Sequence, residues 1–123
     1  MFDSTTLPPC DVLLMKHVLA DWGDEDAACV LRACRAALRS AGNKESSSGG
    51  RIVVADVVLP VGSDANGSDD LNLAVDACLM LVGNRGERTH TRWQQLAAAA
   101  GLELESVVKT ASPSIDLVVF SVA

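Results

Sequence analysis

Apolar positions along this chain fall into two kinds of run. Residues 10–15, CDVLLM, show no polar alternation, which predicts a strand buried on both faces rather than on one. RIVVADVVLP (residues 51–60) repeats that pattern and ends at Pro60, predicting a second buried strand over 52–58. Between them lies EDAACVLRACRAALRSAG, with Val30, Leu31, Cys34, Ala37 and Leu38 at helical spacing and arginines interleaved. Asp24 is a good N-cap for this helix, Glu25 and Asp26 suit its first turn, and Gly42 closes it.

Polar, glycine-rich loops separate the later elements. NKESSSGG follows the helix, and VGSDANGSDD follows the second strand, with Asn66-Gly67 as a turn signal. Residues 70–82, DLNLAVDACLMLV, are apolar at helical spacing. After the GNRGERT turn, Thr89 or Thr91 can cap RWQQLAAAAG, an alanine-rich helix stopped by Gly101. LELESVVKT and SIDLVVFSVA are two strands joined by a turn too short for a helical crossover, so as neighbours they must run antiparallel. The prediction is an α/β unit with one sheet built from residues 10–15, 52–58, 103–109 and 115–121. Its first two strands are parallel and its last two form an antiparallel pair. Neither an internal repeat nor a domain linker divides residues 1–123. Four strands make a thin α/β sheet, which suggests that part of the fold lies before residue 1.

Composition narrows the function classes. The chain of 123 residues is 49% apolar and 21% charged, a globular balance. Its net charge is −6 and its Lys and Arg are scattered, which argues against nucleic acid as a partner. Only four residues are aromatic (Trp 2, Phe 2), too few for platforms that stack bases or sugars. Apolar runs fall far short of the roughly 20 residues of a membrane-spanning helix, and MFDSTTLPPC has no signal-peptide pattern. Cys10, Cys29, Cys34 and Cys78 form no CxxC pair, and His17 and His90 complete no metal spacing. Buried free thiols in a reducing cytoplasm are the expectation.

Several pieces, taken in order, resemble one family: DVLLMKHVLADWGDED, GGRIVVADVVLP, DACLML, RGERT and WQQLAAAAGL. Together they resemble the carboxy-terminal half of the plant caffeate and hydroxyindole type of S-adenosylmethionine-dependent O-methyltransferases. That family runs K-x-x-L-H-D-W-x-D-E after an apolar strand, then G-G-R-x-x-x-x-(D/E)-x-x-x-P, a D-x-x-M-L helix and G-x-E-R-T. The resemblance implies a partial Rossmann-like methyltransferase sheet, S-adenosylmethionine as cofactor and a small hydroxylated, aromatic acceptor. It also implies homodimers formed through a region this chain does not contain. The family's glycine-rich cofactor loop has no counterpart here, and Met1-Phe2 resembles the tail of a D-M-F segment beside the adenine. The expectation is a catalytic-domain fragment or truncated gene model, without the upstream cofactor-binding half.

Methyl transfer to a hydroxyl is an in-line displacement that needs a general base, which a histidine supplies well when a carboxylate fixes its tautomer. By resemblance that base belongs at position 20, which is Ala20, and the flanking carboxylates are Asp56 and Glu87. Family members often carry glutamate where Asp56 stands. On the cofactor side the resemblance implies Met1, Phe2 and Lys16, and on the acceptor side Asp21, Leu79 and Met80. Blander roles stand beside these: a solvated strand-end lysine for Lys16, helix-entry capping for Asp21, and core packing for Leu79 and Met80. Trp22 is expected to pack the helix on the sheet, Arg88 to form a local ion pair with Glu87, and His17 to occupy the rim or pack rather than replace the base. With Ala20 in place, an inactive methyltransferase-like protein with a binding role is the alternative function.

Overall fold

A computed structural model describes residues 7–40, 49–59, 88–112 and 115–122. The expected helix over 70–82 lies outside these residues, as do Met1, Phe2, Leu79, Met80 and Glu87. The described elements are β1 (Val12–Lys16), a 3-10 turn (Leu19–Asp21), α1 (Asp24–Ser40), β2 (Arg51–Asp56), β3 (Val58–Leu59), β4 (Arg88–Thr89), α2 (His90–Ala100), β5 (Leu102–Lys109) and β6 (Asp116–Val122).

Four strands form one sheet in the order β1-β2-β6-β5. β1 and β2 are parallel, with Leu13 opposite Ile52 and Met15 opposite Val54. β6 runs antiparallel to both β2 and β5, and a bulge interrupts the β5 ladder between Leu104 and Ser106. The expected sheet, with its parallel and antiparallel pairs, is therefore the one observed. Its last two strands could only meet as a hairpin, so β6 enters the middle of the sheet and β5 takes the edge.

α1 and α2 pack on one face. Leu31 and Leu38 of α1 and Trp93 and Leu96 of α2 share a core with Ile52, Val54, Val118 and Phe120. Arg32 ties the helices together by donating from Nε and Nη2 to the Ala99 carbonyl, at 3.2 and 3.0 Å. Trp93 and Phe120 have ring centroids 6.2 Å apart, tilted by 47°, which joins helix to sheet.

Three expectations need correction. β1 is not buried on both faces: Met15 is buried beneath α1, whereas Val12 and Leu14, on the other face, are 59% and 67% exposed. An unalternating strand is written for cover on two sides, and the described elements supply one. Residues 52–58 are not a single strand either. The main sheet lets go after Asp56, and Val58–Leu59 pair in parallel with Arg88–Thr89 in a separate small ladder. Finally, the thiols of Cys10, Cys29 and Cys34 are free as expected, but only Cys34 is buried and Cys29 is exposed. Burial pushes the Cys34 thiol up to about 11, with nearby Cys10 adding to the shift.

The ends of α2 follow the sequence signals. Thr89 is the N-cap, its side-chain oxygen accepting from the Arg92 N–H at 3.4 Å. Gly101 closes the helix at φ 70°, its N–H returning to the Ala98 carbonyl at 3.1 Å. A Cβ there would also lie 2.9 Å from the Arg35 guanidinium. Gly101→Ala is therefore expected to destabilise the chain by about 1 kcal/mol or more, since alanine strains at positive φ. Urea titration checks this, and an unchanged midpoint would contradict it.

Candidate functional site

At the C-terminal ends of β1 and β2, where open α/β sheets bind ligands, the chain turns sharply. His17 leaves β1 at φ 51°, in the left-handed region that few residues other than glycine adopt. Its N–H donates to the Ala55 carbonyl at 3.0 Å, the last rung of the β1–β2 ladder. The turn carries the imidazole towards the end of β2, with Nδ1 3.7 Å from Asp56 Oδ1. Backbone strain of this kind gathers at functional sites.

Asp56 is 1% exposed. Its Oδ1 accepts from the Val57 N–H at 2.9 Å, whereas Oδ2 has no hydrogen-bond partner among the described residues. Burial holds the carboxyl above its usual range. The Val57 N–H and the charges of His17 and Arg88 oppose that shift without cancelling it. Asp116 stands opposite Asp56 in the β2–β6 ladder, also buried. Its Oδ2 accepts from the Val58 N–H at 3.3 Å and from Lys109 Nζ at 3.0 Å. Like charges facing each other across a ladder repel, and the lysine relieves that repulsion on the Asp116 side only.

Ala20 lies buried in the 3-10 turn beside fully buried Leu19. The turn is held from outside by Arg88, which is 2% exposed. Its guanidinium donates Nη1 to the Leu19 carbonyl at 2.9 Å, Nη2 to the Trp22 carbonyl at 2.8 Å and Nε to Asp24 Oδ1 at 2.8 Å. It also lies over the Trp93 ring, 5.5 Å from the centroid. Through these bonds, and through the pairing of Val58 with Arg88, three stretches of chain converge at one place: those carrying Ala20, Asp56 and the residue after Glu87.

Other candidates fall around this centre. Lys16 ends β1 with its side chain exposed, and Asp21 ends the 3-10 turn, also exposed. Asp24 is not the N-cap of α1. It is the first helical residue, Gly23 precedes it, and the Gly23 carbonyl accepts from Ala27 at 2.8 Å. The Asp24 carboxylate is taken up by Arg88 and Arg92. Burial favours its neutral form, but the hydrogen bonds and charges of those arginines outweigh it, so the carboxyl is held below its usual range. Arg88 itself was not visible in the sequence as a buried residue. An arginine in a polar turn ahead of a helix looks solvated, and its long-range partners leave no periodic trace.

Comparisons with known proteins bear on the family and the fold. A profile of the O-methyltransferase domain matches residues 1–103, and the chain belongs to that family. It is 33% identical over 101 residues to chavicol O-methyltransferase of Ocimum basilicum, covering 82% of this chain and 26% of that protein. Among solved structures, a methyltransferase of calicheamicin biosynthesis in its SAH-bound form superposes with TM-score 0.75 at 32% identity. That match covers 98% of this chain and 32% of the other. A pericyclic reaction enzyme superposes with TM-score 0.72 at 27% identity, over 96% of this chain and 28% of that one. The chain thus spans about a quarter to a third of the length of these relatives. Among the described residues, no helix is long and apolar enough to cross a membrane, and no cluster of His, Cys, Asp and Glu could hold a metal ion.

Two predictions follow from the charges. Arg88→Ala takes a donor from the Leu19 and Trp22 carbonyls and from Asp24, which keeps Arg92, and leaving a buried acceptor short of its partner typically costs about 1–3 kcal/mol. A loss below about 1 kcal/mol in urea titration would show that the guanidinium does not hold the turn.

The two aspartates should respond to acid with opposite signs. Asp24, with its folded pKa lowered, stabilises the fold above its unfolded value, and that contribution is lost as pH falls through the folded pKa. Asp56, with its folded pKa raised, destabilises the fold while ionised, and acid relieves it. Asp56→Asn is therefore expected to gain on the order of 1 kcal/mol at pH 7, the scale of an unsatisfied buried polar atom. That gain should shrink as the pH is lowered. Asp24→Asn should lose stability at pH 7 and converge on the wild type only in strong acid. Thermal melts from pH 3 to pH 7 separate the two, and a destabilised Asp56→Asn at pH 7 would contradict the assignment.

Proposed function

We propose that this chain forms the acceptor-side portion of an S-adenosylmethionine-dependent O-methyltransferase acting on small hydroxylated, aromatic acceptors in the cytoplasm. The observation that supports this best is Asp56: a buried carboxylate at the strand ends, with one oxygen unpartnered among the described residues. A carboxylate so placed suits the orientation of a histidine. The family's histidine position is Ala20, in a turn that Arg88 holds whatever side chain stands there. In this reading Asp56 and Glu87 flank the base position, Lys16, Met1 and Phe2 belong to the cofactor side, and Asp21, Leu79 and Met80 to the acceptor side. The sequence has no glycine-rich turn to bind the methionine end of the cofactor, so cofactor binding depends on a portion outside these residues.

A second reading is the same fold without methyl transfer. Ala20 favours it, because a missing general base typically slows a reaction about 10²–10⁴-fold. The similarity to a pericyclic reaction enzyme supports it too.

One experiment tests both. The chain is joined in frame to the amino-terminal two-thirds of an O-methyltransferase relative, and S-adenosylmethionine binding and methyl transfer to a phenol are measured. Methyl transfer is expected to be slow with Ala20 and about 10²–10⁴-fold faster with Ala20→His. Equal rates in two chimaeras that both bind cofactor would remove position 20 as the base position. A folded chimaera that binds no cofactor would remove the methyltransferase reading.

A further inference from the structure

Among the described residues, His17 is the one non-glycine with positive φ. Glycine or asparagine would hold that conformation at lower cost, so the turn alone does not call for an imidazole. Its backbone is anchored by the N–H bond to the Ala55 carbonyl, and its Nδ1 stands 3.7 Å from Asp56 Oδ1. The carboxylate has room for this donor: Oδ1 accepts only from the Val57 N–H among the printed bonds, and Oδ2 has no described partner.

Sequence spacing points away from His17, which stands three residues before the base position. The geometry points the other way. Asp56 is the carboxylate that would orient a base at position 20, and the imidazole beside it in this chain is that of His17. An Nδ1–H directed at Asp56 leaves the lone pair on Nε2, the arrangement of an oriented general base. The 3.7 Å separation is longer than a hydrogen bond. Catalytic pairs are often that loose until a substrate closes on them.

We propose that His17, oriented by Asp56, is the general base for methyl transfer in this chain, in place of a side chain at position 20. The proposal rests on the methyltransferase reading above. Nε2 takes the proton of the acceptor hydroxyl as that oxygen bonds to the methyl carbon. The C–S bond of the sulfonium breaks, and its electron pair stays on sulfur. One positive charge thus passes from sulfonium to imidazolium, beside the Asp56 carboxylate, and the imidazolium then gives its proton to water. His17 has one carboxylate beside it where position 20 has two by resemblance, Asp56 and Glu87. It is therefore the weaker base, and Ala20→His still accelerates the reaction.

Two measurements test this, the first without cofactor or turnover. The imidazoles of the 123-residue chain are those of His17 and His90. Nitrogen-15 spectra at a pH where both are neutral report which ring nitrogen carries the proton, with exposed His90 as the reference. His17 is expected in the Nδ1–H form, and Asp56→Ala is expected to return it to the Nε2–H form of a free side chain. The second measurement uses the chimaera described above, saturated with S-adenosylmethionine. His17→Gly suits the left-handed turn. It is expected to slow methyl transfer about tenfold, less than the 10²–10⁴-fold of a fully oriented base, and added imidazole should restore most of the rate. His17→Asn also accepts the turn but takes no proton, so it should be as slow and indifferent to imidazole. An Nε2–H form of His17 in the unaltered chain, unchanged rates in both variants, or a loss that imidazole does not restore would overturn this proposal alone. A folded chimaera that binds no cofactor would overturn the methyltransferase reading and this proposal with it.

Discussion

A single buried guanidinium organises the end of this chain where β1 and β2 stop. Arg88 closes the 3-10 turn on one side, the start of α1 on another and the Trp93 ring beneath. Removing an arginine from water costs several kcal/mol. Three hydrogen bonds, each about 1.5–3 kcal/mol when a charge takes part, bring the balance back near zero. Its main effect is therefore positional. Arg88 and Leu19 lie 69 residues apart in sequence.

That arrangement separates the scaffold of the site from its chemistry. Position 20 is fixed by backbone contacts to its neighbours: Arg88 holds the Leu19 carbonyl, and the Trp22 N–H donates to the same carbonyl at 3.2 Å. An alanine there leaves the frame intact, and the chain shares the fold of its relatives. Asp56 behaves in the opposite way. Its burial opposes the ionised form, its second oxygen lacks a described partner, and Asp116 faces it across the ladder. A buried carboxylate with an unpartnered oxygen and a raised pKa is the kind of group that gathers at functional sites.

The four strands of the main sheet, both described helices and their pairing senses were legible because they rest on local rules. Those rules are runs without alternation, helical spacing of Val30, Leu31 and Cys34, a threonine cap and a closing glycine. Ala20 and Asp56 were reached through motif resemblance, and the structure brings their stretches of chain together. Features that depend on distant charges left no local trace. Asp24 had every local mark of an N-cap, yet its carboxylate is claimed by Arg88 and Arg92. The break after Asp56 was equally hidden, since Val57 and Val58 continue the apolar run while Val58 changes its ladder partner.

β1 shows how side-chain and backbone demands separate on one strand. Its unalternating sequence asks for cover on both faces, and burying Val12 and Leu14 would be worth about 1.5–3 kcal/mol each. That demand is met by a layer stacked on the sheet. The outward N–H and C=O groups of Val12, Leu14 and Lys16 ask for something else, a strand in the plane of the sheet. Pairing at the edge would satisfy the backbone while leaving much of the Val12 face open, and a covering layer would do the reverse. The two exposures are thus separate constraints on what can sit beside this strand, and a partner meeting only one would leave the other measurable.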